Sequence, residues 1–456
     1  MSYISVTPEQ RNEMLLKCGA QSIEELFKDI PAPLAPAEFS LPQGLSELEA
    51  LTKCEELASQ NDTKKISFLG AGFYDHFIPA AIDAIISRSE FYTAYTPYQP
   101  EVSQGTLQAI YEYQSHICRL TGMDISNASL YDGGTAIFEA CQMAVSATGR
   151  RRIIVDKGVN PIYRKMLRTH INNLNVELVE HDVLSDGSLS RIALKEIICG
   201  SVAAVVLQNP NFFGIIDNHS DIVEECKKFD VVTIQAVYPI ALPLIKSPAE
   251  QGFDIAVGEG QPLGIPLSFG GPYLGFIGAR KELARKMPGR IAAKTEDKNG
   301  REGFVLSLQA REQHIRREKA TSNICSNEAL CALRAHIYLS LLGKEGMKRV
   351  ASLCHSKAMY CRERIGSIER IKVTNTPAFN EFIVELPISA TECVKIMLER
   401  GFAAGVPIGQ YYKGEIGSNS AGEKCADNFL LVAVTEKRTK QQIDDFVKNL
   451  EEAICR

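Results

Sequence analysis

Between residues 152 and 234 the chain alternates short, largely apolar runs with amphipathic stretches. The runs at 152–155, 176–179, 202–207 and 231–234 read as strands, and several are continuous enough in apolar residues to be covered on both faces, since a half-exposed strand would alternate apolar and polar positions. The stretches between them, 161–170, 189–198 and 222–229, place apolar residues at helical spacing. This alternation predicts a mainly parallel sheet with right-handed crossovers, whose ligands sit beyond the carboxyl ends of the strands. Three loops fall there: 132–135, 208–214 and 235–238. Short strands are expected at 64–68 and 128–131, with helices at 79–88, 105–121 and from the 132–136 turn to about 147. Helices at 328–342 and 343–363 then bridge to a different pattern. Strands at 371–373, 381–384 and 429–434, with helices at 390–399 and 441–454, describe a small α+β domain.

The expected organisation is therefore an N-terminal helical arm and linker (1–63), a large α/β domain (64–325), connecting helices (326–369) and the small domain (370–456). In the arm, Thr7-Pro8-Glu9 is a helix start, and Ser22 with Glu25 is a second capping signature. The Pro-rich 30–42 reads as an extended linker, and 46–59 as a helix. The Gly/Ser/Tyr-rich 409–422 reads as a mobile loop.

The stretch 254–278, DIAVGEGQPLGIPLSFGGPYLGFIG, runs from the end of a buried strand through a Gly/Pro-rich turn into another strand at 273–277. Enzymes that hold pyridoxal phosphate often place their Schiff-base lysine on such a loop. No lysine lies between Lys246 and Lys281. The turn Asp132-Gly133-Gly134-Thr135, between a strand and a helix, has the layout that receives an anion, although Asp132 would repel a phosphate. Gly70-Ala71-Gly72 is an incomplete dinucleotide fingerprint, because Asp75 stands where the third glycine belongs. It reads as a tight turn.

Composition narrows the class. A net charge of -5 over 456 residues gives no footprint for nucleic acid, and no apolar run approaches the ~18 residues of a membrane span. The start lacks the layout of an export signal, and the 13 scattered cysteines contain no CxxC pair, so cytoplasm and reduced thiols are expected. There is no HExxH, no GxSxG and no local His/Cys spacing for a metal; Asp75-His76 reads as a capping or surface pair.

Two segments carry candidate binding groups. Residues 91–104, FYTAYTPYQPEVSQ, concentrate aromatic and hydrogen-bonding side chains in a Pro-held extended stretch, either a packed surface loop or a pocket wall or interface segment. Residues 311–323 bring Arg311, His314, Arg316, Arg317 and Lys319 before Thr321-Ser322-Asn323, either an anion site or a charged helix face with Glu312 and Glu318 as partners.

Five long motifs carry a family resemblance: FLGAGFYDHFIP (68–79), YTPYQPEVSQG (95–105), SLYDGGTA (129–136), SFGGPYLGF (268–276) and REQHIRREKATSNIC (311–325). In this order, and over essentially the whole chain, they resemble the alpha-subunit half of the decarboxylating glycine dehydrogenases, the P-proteins of the glycine cleavage system. The resemblance implies a fold-type I aminotransferase-like architecture: a large, mainly parallel α/β domain plus a smaller C-terminal α+β domain. It also implies an enzyme that decarboxylates glycine with pyridoxal phosphate and passes the aminomethyl group to the lipoyl arm of H-protein. The beta half of that family holds the cofactor on a lysine, whose position falls here at Gln261 or Pro262. The family's Asp beside the pyridinium nitrogen corresponds to Gln235. No catalytic residue is therefore expected in this chain. The resemblance implies a cofactor-bearing beta subunit in an α2β2 assembly, with Thr321, Ser322 and Asn323 reaching its phosphate. Tyr95, Tyr98, Gln99 and Glu101 would serve the glycine pocket and the lipoyl path.

Overall fold

The computed structural model describes residues 5–34, 41–268, 270–412 and 426–455. The chain forms two compact units, Met1–Thr63 and Lys64–Arg456. In the first, helix Pro8–Lys17 starts at a Thr7–Gln10 capping box, and helix Glu47–Ser59 at a Ser46–Glu49 box. The Ser22 signature starts only a 3-10 turn, Glu24–Phe27; Ser22 accepts the Glu25 N–H at 3.4 Å, while Glu25 accepts the Gln21 N–H at 2.7 Å. A second such turn, Ala32–Leu34, interrupts the Pro-rich stretch, where an extended linker was expected.

The second unit opens with β1 (Ile66–Ser67). Its main sheet contains β2 (Ile125–Ser126), β3 (Arg152–Asp156), β4 (Glu177–His181), β5 (Val202–Asn209), β6 (Val232–Val237), β7 (Ile255–Glu259) and β8 (Gly275–Ala279). The order is β2-β8-β7-β6-β5-β3-β4. The five strands from β7 to β4 are parallel, and β8 runs antiparallel to both β7 and β2. Strands β5 and β7 are buried almost throughout, which is why their sequences read as continuous apolar runs. Helix Gly133–Thr148 packs on one face with Pro161–Ile171, through Ile137, Ala140, Leu167, Val206, Ile234 and Val257. Helices Arg191–Ile197 and Ser220–Lys227 cover the other through Leu194, Ile222, Val205 and Leu207.

Two differences from the sequence reading have local causes. No strand forms at 128–131: Leu130 makes a single bridge to Gly275, because the chain turns there into helix Gly133–Thr148. The basic segment after residue 280 contains a hairpin, β9 (Ile291–Glu296) with β10 (Glu302–Ser307), closed by a turn at Asp297–Gly300. Its outer face carries Lys294, Glu296 and Glu302, so it lacks the apolar run that marked the central strands.

The bridge is one long helix, Ala329–Gly366, broken at Gly343 (φ 57°, ψ −170°). Strands β11 (Lys372–Val373), β12 (Glu381–Glu385), β13 (Phe402–Ala403), β14 (Val406–Pro407) and β15 (Phe429–Ala433) follow. Strands β11, β12, β15 and β14 form a four-stranded sheet, and β13 pairs with β1. Helices Ala390–Glu399 and Lys440–Ile454 pack with it around Phe382, Val432 and Phe446. Of the expected mobile loop, Ile408–Gln410 is a 3-10 turn, and 413–425 lie outside the described residues.

Candidate functional site

Strands β5, β6 and β7 end beside the N-terminus of helix Gly133–Thr148, where a parallel sheet would seat an anionic ligand. Two internal carboxylates take that place. Asp132 caps the helix and accepts the Thr135 N–H at 2.8 Å. Glu259, at the end of β7, accepts the Gly133 N–H at 3.0 Å. Its other oxygen accepts from Gln261 N–H at 2.9 Å and Leu274 N–H at 3.1 Å. Burial pushes the Glu259 carboxyl up to about 8, against the pull of those three N–H donors. Gly133 is required, because a Cβ there would stand 2.8 Å from the Tyr163 hydroxyl.

The glycine-rich loop is likewise filled. Gln261 is 1% exposed. Its side chain accepts the Tyr74 N–H at 3.0 Å and donates to the Tyr74 and Ile265 carbonyls at 3.2 and 2.8 Å. Pro262 is buried beside it. Gln235, on β6, is buried with its Nε2 3.3 Å from His219 Nδ1 and its Oε1 without a hydrogen-bond partner among the described residues. Burial holds His219 below its usual range.

What remains between the strand ends and β12 is a cavity of about 40 Å³, lined by Tyr74, Asn160, Tyr163, Tyr238, Glu259 and Glu381 among others. That is room for one or two water molecules and far below the ~300 Å³ of a small-molecule pocket. Pyridoxal phosphate does not fit this arrangement. Among the described residues no lysine lines the cavity, the helix N-terminus already holds carboxylates, and Gln235 brings no charge to a ring nitrogen. The GxG segment is a wall of the same cavity and not a nucleotide cradle. Ala71 N–H donates to Glu381 at 2.7 Å, Tyr74 Oη donates to Glu381 at 2.8 Å, and a Cβ on Gly70 would lie 2.0 Å from that carboxylate.

The groups expected to face a partner divide. Tyr95 is 84% exposed; Gln99 and Glu101 are exposed too. Tyr98 is half-exposed and tied inward, its hydroxyl accepting from Arg290 at 2.9 Å under a guanidinium 4.5 Å from the ring centre. Thr321 and Asn323 are exposed, whereas Ser322 turns in, accepting the Ile324 N–H at 3.1 Å. Between 91–97 and 325–333 lies an open cavity of about 250 Å³, lined by Tyr92, Tyr95, Thr96, Ser326, Asn327 and Leu330 among others.

The basic cluster does not converge as one site. Arg311 donates to the Met287 carbonyl, and Arg316, Arg317 and Lys319 are exposed. Glu312, expected as a helix-face partner, is buried in an ion pair with Arg290 at 2.9 Å, while Arg290 also donates to Cys325 Sγ. The sequence reading missed Arg290, Glu259 and Glu381. Only Glu259 carried a signal, as an acid between two glycines at the end of an apolar strand.

The family model for the glycine cleavage system P-protein matches residues 1–450. The chain belongs to the glycine cleavage system P-protein family. A relative from Nitratidesulfovibrio vulgaris (strain Miyazaki F), named probable glycine dehydrogenase (decarboxylating) subunit 1, is 52% identical over 444 residues, covering 97% of this chain and 98% of its own. One of the same name from Geotalea daltonii is 52% identical and is covered in full, as is this chain. Among solved structures, the glycine decarboxylase P-protein in inhibitor-bound form superposes with a TM-score of 0.91 at 37% identity, over 99% of this chain and 100% of that one. A sphingosine-1-phosphate lyase from Burkholderia pseudomallei shares the fold alone, with a TM-score of 0.65 at 14% identity, over 93% of this chain and 94% of that one. The architecture is that of fold-type I, pyridoxal-phosphate-dependent enzymes. Within this P-protein fold the chain keeps the strand-end site and closes it.

Proposed function

We propose that this chain is the P-protein subunit that does not hold pyridoxal phosphate. It pairs with a beta subunit that does, in an α2β2 assembly in the cytoplasm. Together they decarboxylate glycine, release CO2 and pass the aminomethyl group to the lipoyl group of H-protein. The observation that carries this reading is the strand-end pocket, closed to about 40 Å³ in a chain matched by its family over nearly its full length. A subunit so closed acts on the reaction through what it presents to its partner. Thr321 and Asn323 are the free hydrogen-bonding groups for the partner's cofactor phosphate. Tyr95, Gln99 and Glu101 line the approach for glycine and the lipoyl arm, with Tyr98 fixed by Arg290 as their support.

The test is glycine–bicarbonate exchange with lipoylated H-protein, using the beta chain alone, this chain alone and both co-expressed. Exchange is expected only with both. Equal turnover by the beta chain alone would make this chain a scaffold and overturn the reading. Within the complex, Thr321→Ala is expected to weaken retention of the cofactor about tenfold, the order of one hydrogen bond to a charged group; unchanged retention removes that role from Thr321.

A further inference from the structure

Behind the closed pocket, three side chains from distant parts of the sequence meet in the second unit. His76 comes from the segment after β1, Cys354 from helix Ala329–Gly366 and Glu436 from the turn after β15. His76 Nδ1 lies 2.7 Å from Glu436 Oε2, and Cys354 Sγ lies 3.2 Å from the same oxygen. All three donor atoms fall within 4.8 Å of one another, and this is the one such group of metal-ligand side chains among the described residues. Cys354 is fully buried, and the His76 and Glu436 side chains are 2% and 11% exposed.

We propose that His76, Cys354 and Glu436 form a binding site for a borderline-soft divalent cation, zinc foremost. At ordinary zinc bond lengths, tetrahedral ligand atoms stand about 3.4–3.6 Å apart. The observed spacings lie within roughly 0.7 Å of that for the two contacts to Glu436, so closure on a metal needs a side-chain adjustment and no change of fold. The charge balances. One carboxylate and one thiolate neutralise a 2+ ion, and the imidazole binds neutral. The thiol proton that now bridges Cys354 and Glu436 leaves to solvent on binding, and the imidazole changes tautomer: Nδ1 gives up the proton it now donates to Glu436, and Nε2 carries one toward the Tyr238 oxygen. A thiolate with an imidazole and a single carboxylate selects zinc over magnesium or calcium, which take oxygen ligands.

The surroundings have the features of a supported site. The other imidazole nitrogen, Nε2, hydrogen-bonds the Tyr238 hydroxyl, which fixes the ring with Nδ1 toward the site. The second Glu436 oxygen accepts the Phe77 N–H at 2.6 Å, and the Lys357 ammonium is drawn to the Glu436 carbonyl instead of its carboxylate. Asp75, the sequence neighbour of His76, is spent on Lys437 and Arg438 and does not compete. An open surface cavity of about 350 Å³ has His76, Phe77, Gln261 and Pro266 in its walls and so reaches one of the three ligand residues. A cation here ties the 70–79 segment, the long helix and the small domain together. It holds Tyr74, and through it Gln261, across the closed pocket.

The test is metal analysis of the full chain, purified without chelator or polyhistidine tag, alone and in complex with the beta chain. About one zinc per chain is expected, falling to background in Cys354→Ser and Glu436→Gln. Chelator-treated chain is then titrated with Co2+. Wild type is expected to show the thiolate-to-cobalt charge-transfer band and the intense visible bands of a tetrahedral site. Cys354→Ser should lose the charge-transfer band while keeping its circular dichroism, and Cys199→Ser should keep both. A wild-type chain with no bound zinc and no cobalt bands overturns the proposal. So does a charge-transfer band that survives Cys354→Ser, which would assign the thiolate elsewhere. If Cys354→Ser does not fold, Glu436→Gln and the wild-type metal content decide alone.

Discussion

Glu381 shows how a single carboxyl can report on the closed pocket. It is buried at the start of β12 against the 70–74 turn, and burial raises it from 4.5 to about 7 despite hydrogen bonds from Ala71 N–H and Tyr74. The unfolded chain ionises this group near 4.5, so between the two values the native state holds more protons than the unfolded one. Its contribution to stability is complete below pH 4.5 and lost as pH rises through about 7. The interval is about 2.5 pH units, or about 3.5 kcal/mol at ~1.4 kcal/mol each. Glu381→Gln keeps an acceptor for Ala71 and does not ionise. Urea unfolding of wild type and variant across this range should show wild type losing about 3.5 kcal/mol relative to the variant. Parallel pH profiles would show that the native carboxyl titrates normally. Nothing near residue 381 in the sequence announces this, because its partners lie some 310 positions away. Gln235 and Gln261 drew notice in the sequence by contrast, because the family resemblance implies a charged or reactive side chain at about those places.

Elements were legible where period and punctuation agreed. The central strands, the Thr7 cap, the helix over 46–59 and helix Ala390–Glu399 follow directly from local pattern. The hairpin β9–β10 did not, since a short amphipathic pair with charged outer positions resembles a polar loop until its cross-strand partner is known. The break in helix Ala329–Gly366 belongs here too. The sequence divides it at Gly343, and the structure gives that residue a backbone conformation (φ 57°, ψ −170°) that side-chain-bearing residues avoid, although a Cβ there would meet open space. Gly343→Ala is therefore expected to cost about 1–3 kcal/mol through the backbone alone. A thermal-unfolding midpoint within experimental error of wild type would show that the helix straightens freely at this point.

At the scale of the whole molecule, the closed pocket is a joint product of two sheets of the second unit. Strands β5 to β7 and helix Gly133–Thr148 supply one wall, while Asn380 and Glu381 of β12 supply the other. Restoring single residues does not reopen it. The double variant Gln261→Lys, Gln235→Asp, mixed with pyridoxal phosphate and reduced with borohydride, should show no added mass at residue 261. Asp132 and Glu259 still occupy the helix N-terminus, and the volume is still too small. A stoichiometric adduct at that lysine would show that the missing lysine and charge were the only barriers.

The sequence by itself determined the alternating α/β layout, the change to a second strand-and-helix pattern from about residue 370 and the absence of a lysine in the 254–278 loop. These are properties of local period and residue type, which the chain carries without reference to its fold. Only the tertiary structure decided what fills the place of the cofactor. Glu259, Gln261, Tyr74 and Glu381 close it through contacts spanning 15 to 310 residues, and such contacts exist only once β7, the 70–74 turn and β12 have met. The same holds for His76, Cys354 and Glu436, which have no spacing in the sequence and acquire one when the long helix lies against the small domain.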